Sequence, residues 1–586
     1  MAYVSRSAMA RILRETADLL ELKGENPFRS RAYANGARAI EGLTDDPLVR
    51  FEAGTLAEVQ GIGPGLVAGV AEILLTGKLA LHEELISTFP HGVIDLLKVP
   101  GLGAKRLRTL IGELRVDSPA ALERACREGR VAALPGFGAK SQEKLLVGLA
   151  TISRFAGRYL LPVGVEAAEN LLLRVRSIAG VRRVEVAGSI RRRLETVGNI
   201  DLVATVEEPV RAQVSERFAA DDTVLAVLRS DESGITAILA GDIRVELRFV
   251  EEREFECRWL HLTGAEEHLE ALRDRARTLG LELRESGLYD NAMELAGGGG
   301  TEKEIYARLE LPWFSPELRE NSAEGLVAIG GAAAGLVELS DLRGTFHVHT
   351  TWSDGIASIA EMASAASRLG WEYLGITDHS RAAAYAGGLD AERVRQQWRE
   401  IDDWNASGRA PRLFKGTECD IVADGALDYD DDLLLGFDYV VASIHSRFSL
   451  SREAMTARLV RAVSHPCVTF LGHPTGRLLL AREPYEHDLE ELLKAAARHG
   501  VIVELNANPH RLDLDWRALR GQFARRELTS IHPDAHSPQG LADVRWGVEM
   551  ARKAGASRRD IFNTRALADV EIYLRTRHSR AQSVLA

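Results

Sequence analysis

Cysteine is rare in this chain of 586 residues: Cys126, Cys257, Cys419 and Cys467 are far apart and never form a CxxC. That excludes a disulfide framework and fits a reducing compartment. Long apolar runs are also missing, since none reaches the roughly 18 residues that a membrane span needs. The opening stretch, MAYVSRSAMARILRETADLL, mixes acidic side chains into an amphipathic helical pattern. It lacks the blocks of a secretion signal. These absences lead to the expectation of a cytoplasmic protein with no membrane partner. An excess of positive charge is missing as well, the net charge being −12. Taken alone, that argues against a general nucleic-acid binder. The deficit is uneven, however. Residues 1–150 hold 19 Lys/Arg against 18 Asp/Glu, or +1, which leaves −13 for the remainder (−12 minus +1). An acidic remainder suits a metal-binding enzyme, and a near-neutral first part can still hold DNA through backbone amides.

What is present is an ordinary balance, 46% hydrophobic and 27% charged, enough to bury real cores. At roughly one to two hundred residues per domain the length implies about three to five domains. Residues 1 to 150 read as short helices with glycine turns. Strand-length apolar runs follow (VEVAG, NIDLVATV, ITAILAG, IRVELRFV), then a helical pattern over 265–280, EEHLEALRDRARTLGL. The run Gly297–Gly300 reads as a loop and the Gly/Ala-rich residues 321–339 as a connector. From 340 onward strand-like and helix-like segments alternate, which implies a parallel β/α layer or barrel.

The strongest signal lies in this last part, which holds 12 of the 16 histidines. Several stand at the ends of strand-like runs: TFHVHTTWSDG (His347, His349, Asp354), LGITDHS (His379), LFKGTECDI (Glu418), VVASIHS (His445), VTFLGHPTG (His473) and SIHPDAHS (Asp534, His536). A seventh run, VIVELNANP, offers Asn506 and Asn508 but no obvious ligand. In a β/α barrel the strand C-termini share one face, and residues two apart, such as His347 and His349, point to the same side. Imidazole with carboxylate is a ligand set for Zn²⁺, Mn²⁺ or Fe. Nine such groups are too many for one ion. They suit two or three ions, with Glu418 or Asp534 bridging. Clustered divalent ions lower the pKa of a bound water and neutralise phosphodiester oxygens. A second histidine or a water could serve as general acid, and the residues do not choose.

This pattern, HxH…SDG…TDH…E…H…GHP…DAH, resembles the PHP (polymerase and histidinol phosphatase) family at all nine positions, over about residues 340–575. The resemblance implies a distorted seven-stranded β/α barrel, a centre of two to three Mn²⁺ or Zn²⁺ ions, and phosphoester hydrolysis.

Toward the N-terminus three segments share one form: VQGIGPGLVAGVAEIL, LKVPGLGAKRLRTLI and ALPGFGAKSQEKLL. Each is a hydrophobic residue, GxG and a helix, the helix–hairpin–helix pattern. Gly61/Gly63, Gly101/Gly103 and Gly136/Gly138 permit tight turns and let backbone N–H groups reach a phosphate. Such contacts position a duplex without reading its sequence. The segment ADLLELKGENPFRSRAYANGARAI places Arg29, Arg31 and Tyr33 beside a turn. This is either a solvated helix end or, by resemblance, a 5′-phosphate pocket.

Between these parts, VAGSIRRRLETVGNIDLVA resembles the nucleotidyltransferase signature GSxRRG…DxD. ENPFRSRAY, the hairpins, GSIRR and LPWFSPELRE then stand in the order of a family X DNA polymerase. Fusion to a PHP domain is the bacterial family X architecture, so the resemblance covers nearly the whole chain. It implies a nucleotide site at Gly188, Ser189, Arg192, Thr263 and Gly264, and catalytic positions at Asn199, Asp201 and Glu246. The departures matter. Asn199 and Glu246 replace aspartates, and an Asn loses a charge and cannot bridge the two Mg²⁺ ions that polymerisation needs. Arg193 replaces the last glycine of GSxRRG, HLTGA (His261 to Ala265) replaces YFTGS, and Leu269 stands where the family has an Asn. The lyase lysine aligns with Gly69, which makes Schiff-base chemistry there impossible.

The resulting expectation is a multidomain α+β and α/β chain. Residues 1–90 form a helical DNA-binding domain with a helix–hairpin–helix, 91–155 fingers with further hairpins, 156–255 the palm and 256–320 the thumb. Residues 321–339 form a linker and 340–586 the PHP barrel. The expected function is a DNA-bound, metal-dependent 3′→5′ exonuclease, with abasic-site cleavage a further option, acting as a monomer on gapped or 3′-ended duplex and associated with the nucleoid. An impaired palm still binds DNA and dNTP. Three other readings stay open: a working gap-filling polymerase using Mg²⁺, a small-molecule phosphatase and a non-catalytic end-binding scaffold.

Overall fold

The computed structural model describes residues 6–41, 43, 47–59, 61–90, 92–290, 293–296, 300–320 and 335–586. Most of the expected Gly297–Gly300 loop and residues 321–334 of the expected connector lie outside the described residues. The chain divides into two compact units, Met1–Ile190 with Thr196–Phe255 and Leu480–Arg482, and Arg191–Glu195 with Glu256–Leu479 and Glu483–Ala586. Among the described residues no single helix is long and apolar enough to cross a membrane.

The first unit begins with helices around two apolar cores. One gathers Leu13, Val59, Ile62, Leu66 and Val70, the other Leu96, Leu102, Leu107 and Leu145. Tyr33 packs against both. The three glycine motifs repeat one geometry. Gly61, Gly101 and Gly136 have φ of 96°, 81° and 80°, a left-handed conformation that costs glycine nothing. Gly63, Gly103 and Gly138 then cap the helices Pro64–Thr76, Ala104–Leu114 and Ala139–Phe155, with no side chain satisfying the first-turn N–H groups. A five-stranded sheet follows, built from β1 (Val181–Val186), β2 (Asn199–Val206), β3 (Val224–Asp231), β4 (Gly234–Leu239) and β5 (Arg244–Val250). Its order is β1-β2-β5-β4-β3, with only β2 and β5 parallel. Four of these strands match the expected apolar runs. The edge strand β3 was not among them, and it is half-exposed or exposed along its whole length.

In the second unit the helix Glu266–Thr278 matches the expected helical pattern. It joins a core with Leu260, Tyr306 and Phe314. A sheet of seven parallel strands follows in sequence order: β6 (Gly344–Thr345), β7 (Tyr373–Ile376), β8 (Arg412–Asp420), β9 (Tyr439–Ser443), β10 (Val468–Leu471), β11 (Ile502–Asn506) and β12 (Thr529–His532). Helices connect most of the strands, as parallel pairing requires. First and last strands meet. Val348 bridges Ala535, and the Thr345 hydroxyl donates to the Ile531 carbonyl. The nearly closed barrel is filled by aromatic rings, Phe346 lying 5.0 Å from Phe470 and 5.2 Å from Tyr439.

Candidate metal centre

Parallel strands put all their C-termini on one face, and the candidate ligands emerge there. His347 and His349 do not lie within β6, which ends at Thr345. They flank the Val348 bridge in the extended chain just beyond it, and both reach Asp534, at 3.6 and 3.3 Å. His379 and Glu418 meet at a parallel bridge between adjacent segments of the barrel. His445 and His473 each stand two residues past a strand end, as do Asp534 and, two residues further on, His536. Asp354 is presented by a turn built on the buried Asp378 carboxylate, which accepts hydrogen bonds from Thr350, Ser353 and Gln397.

All nine expected side chains come together. Glu418 is the hub, its oxygens lying 2.8 Å from His473 Nε2, 3.0 Å from His379 Nδ1, 3.1 Å from His445 Nε2 and 3.4 Å from His347 Nε2. Four overlapping groups drawn from these nine could each take an ion: His349, Asp354, His379 and His536; His347, His349 and Asp534; His347, Glu418 and His473; and His379, Glu418 and His445; a fifth joins His347 to Glu504 and His532. The floor is buried, while Asp354 is exposed and His536 half-buried, so the centre opens on their side.

The residues fit metal ions on two counts. His347 Nε2, both nitrogens of His349 and His473 Nδ1 are buried without a hydrogen-bond partner. A buried polar atom left so costs about 1–3 kcal/mol. The electrostatics agree for His349 and Glu418, whereas at His347, His445 and His536 burial is outweighed by the surrounding carboxylates, which raise all three and favour their charged forms when no ion is present. Burial, with His536 and His379 close by, pushes His349 down to about 3, keeping it neutral and able to ligate. Burial alone would raise Glu418, but His445, His347 and His379 outweigh it and hold the carboxyl well below its usual range.

Sequence reading missed two carboxylates and a cation. Glu504, fully buried on β11, accepts from His347 Nδ1 at 2.7 Å, from Asn506 Nδ2 at 2.8 Å and from the His473 backbone N–H at 2.9 Å, and lies 2.9 Å from His532 Nδ1. Asp420 lies 3.1 Å from His445 Nδ1. Both orient imidazoles from behind. Arg511 projects from a loop tied to the end of β11 through Asn506 and Asp513. Its Nε lies 3.4 Å from Asp534. Among the described residues its two Nη groups have no hydrogen-bond partner.

In the first unit the three palm positions are adjacent. Asn199 and Asp201 share a face of β2, and Asp201 pairs in register with Glu246 on β5. Their polar groups are taken up internally: Asn199 Nδ2 donates to Asp201 at 2.7 Å, while Arg244 and Arg248 bind the two oxygens of Glu246 at 2.7 and 2.9 Å. Gly188 has φ of 60° and no room for a side chain, since a Cβ would lie 2.0 Å from Asp201 Oδ2. Ser189 is half-buried in the short helix Gly188–Arg191. In the second unit Arg192 donates to the Thr263 carbonyl and to Glu320 at 2.6 and 2.8 Å. The buried Thr263 hydroxyl accepts from Arg191, and Gly264 packs on Leu269. Arg29 and Arg31 are exposed on the first turns of the helix Pro27–Glu41. Gly63, Gly101, Gly103, Gly136 and Gly138 face open space.

Four family models match the chain: a helix-hairpin-helix domain over 5–79, a SAM-like helix-hairpin-helix tandem over 93–151, a DNA polymerase beta thumb over 258–320 and a PHP domain over 345–508. The chain is 36% identical to the DNA polymerase/3′-5′ exonuclease PolX of Bacillus subtilis, over 96% of this chain and 98% of that protein. It is also 26% identical to a probable phosphatase of Syntrophotalea carbinolica, over 37% of this chain and 90% of the relative. A probable phosphatase of Photobacterium profundum is 27% identical over 27% of this chain and 62% of its own length.

Proposed function

The chain belongs to the bacterial family X DNA polymerases that carry a PHP domain, and from that premise we propose that its principal activity is 3′→5′ removal of nucleotides in the barrel, on DNA held by the helix–hairpin–helix motifs. The observation that carries this reading is the convergence of nine imidazoles and carboxylates, Glu418 among them, with buried nitrogens left unpaired. We take Mn²⁺ or Zn²⁺ as the ions and His347, His349, Asp354, His379, Glu418, His445, His473, Asp534 and His536 as their holders. Divalent ions held there would supply Lewis-acid activation of the phosphodiester and of the attacking water. The protein's own part is positional. Glu504 and Asp420 fix His347 and His445, and the Nη groups of Arg511 grip a non-bridging phosphate oxygen. The open side at Asp354 and His536 admits the 3′ end.

On this reading the first-turn N–H groups after Gly63, Gly103 and Gly138 hold DNA phosphates, and Arg29 and Arg31 meet a 5′ end. The substrate is a gapped or 3′-recessed duplex, the protein works as a monomer, and the setting is the cytoplasm at the nucleoid. The palm polymerises weakly, because Asn199 contributes no charge and two arginines already occupy Glu246. The two carboxylates that remain, Asp201 and the substituted Glu246, favour a second reading, a gap-filling polymerase with an editing nuclease.

The test incubates full-length protein and its His349→Ala variant with a 5′-labelled gapped duplex, Mn²⁺ or Mg²⁺, with and without dNTPs. Shortening that is lost in the variant, with no extension, is the expected result. Extension by both proteins would put the polymerase reading first, and no shortening by the wild type would reject the nuclease.

A further inference from the structure

One side chain of the barrel face, Tyr385, stands outside the candidate ligand set. The loop between β7 and the helix Ala391–Ala406 is pinned throughout. Ser380 N–H donates to the Glu418 carbonyl at 3.0 Å, Leu389 N–H to the His379 carbonyl at 2.9 Å, and Ala382 N–H to the Asp428 carboxylate at 2.6 Å. Gly388 N–H closes the turn onto the Ala383 carbonyl at 3.1 Å. At the tip of this fixed loop, in the short turn Ala384–Ala386, stands Tyr385. It is 74% exposed, yet its ring centroid lies only 6.3 Å from that of His379. Desolvation, together with the Asp420, Glu418 and Asp354 carboxylates, pushes the phenol up to about 12 against the pull of Arg511. The ring thus stands beside the centre with most of its surface left to solvent. A rigid loop that holds a bare aromatic face beside a phosphodiester site has the attributes of a stacking platform.

We propose that Tyr385 is the binding surface for the nucleobase of the 3′-terminal nucleotide, seated so that its phosphate falls between the metal centre and Arg511. The proposal rests on the nuclease reading given above. Base stacking on one aromatic ring is sequence-tolerant and changes affinity by about fivefold to 150-fold, because every base offers a π-face. It requires an unstacked terminal base, so frayed or single-stranded 3′ ends are preferred over blunt paired ones. It also separates a polynucleotide from a small phosphate monoester, which has nothing to lay on the ring.

The test uses metal-loaded, full-length protein and two 5′-labelled oligonucleotides that differ only in whether the 3′-terminal nucleotide carries a base or is an abasic tetrahydrofuran. The wild type should cleave the base-bearing end about ten to a hundred times more efficiently in kcat/KM. Tyr385→Ala should remove that preference and leave the abasic end unchanged, while Tyr385→Trp should keep it. In parallel, an oligonucleotide with a cleavage-resistant linkage and a 3′-terminal 2-aminopurine should lose fluorescence on binding wild type and Tyr385→Trp, but not Tyr385→Ala. An unchanged preference, or equal quenching by Tyr385→Ala, overturns the proposal. Cleavage of neither oligonucleotide by the wild type would instead remove the nuclease reading, and the fluorescence arm would still decide the role of Tyr385.

Discussion

The barrel and the palm both collect groups able to hold divalent ions, and they treat those groups in opposite ways. In the palm the side chains engage near neighbours: Asn199 donates to Asp201, and Arg244 and Arg248 engage Glu246. In the barrel several imidazole nitrogens are buried and answered by nothing. Since unmet buried polar atoms are costly, the first arrangement is at rest without an ion and the second is not. Local self-sufficiency thus separates a polar set that its own neighbours satisfy from an imidazole set that they do not.

The largest expected effect attacks the barrel side. Removing His349, which reaches both Glu418 and Asp534, should cut nuclease activity by about a thousandfold or more, measured as the initial rate of strand shortening. Next, Glu504→Gln leaves every proposed ligand in place but takes the charge from behind His347. It should weaken metal affinity by about ten- to a hundredfold, read by titration against a chelating dye, and an unchanged affinity would deny Glu504 its orienting role. Restoring Asn199→Asp together with Glu246→Asp tests the palm side. Primer extension should rise by at least about tenfold, since the pair recovers the carboxylates a two-ion clamp uses; an unaltered rate would mean that the palm is limited elsewhere. Smallest, Gly136→Val adds a side chain where φ is 80°. It should lower duplex affinity a few-fold, by gel shift at fixed salt, while nuclease activity on a single-stranded oligonucleotide stays the same.

Legibility from sequence followed the same division. His347, His349, His379, His445 and His473 could be found because each follows a short apolar run, and parallel strands bring such positions to one face. Glu504 could not, although its strand was recognised. In VIVELNANP it sits inside a buried run, and its partners His347 and His532 are 157 and 28 residues away. A signal was available in the alternation Glu504, Asn506, two polar residues on one face of an otherwise apolar strand. Asp420 follows Glu418 at the same spacing and was passed over for the same reason. Strand β3 went unnoticed because an edge strand exposed on both faces leaves no alternation to read. Arg511 and Tyr385 belong to loops, whose direction is set by tertiary hydrogen bonds that no local pattern encodes.

The bridge between Val348 and Ala535 also sets an order of events during synthesis. The barrel cannot close until the last strand has left the ribosome, and the centre needs residues from both margins, His347 and His536. At typical elongation rates the two are separated by roughly 10–40 s, long after the hairpins have begun to fold. A growing chain therefore completes its hairpins before its metal centre can assemble, and a chain cut between the hairpins and Asp534 would keep the first and lack part of the second.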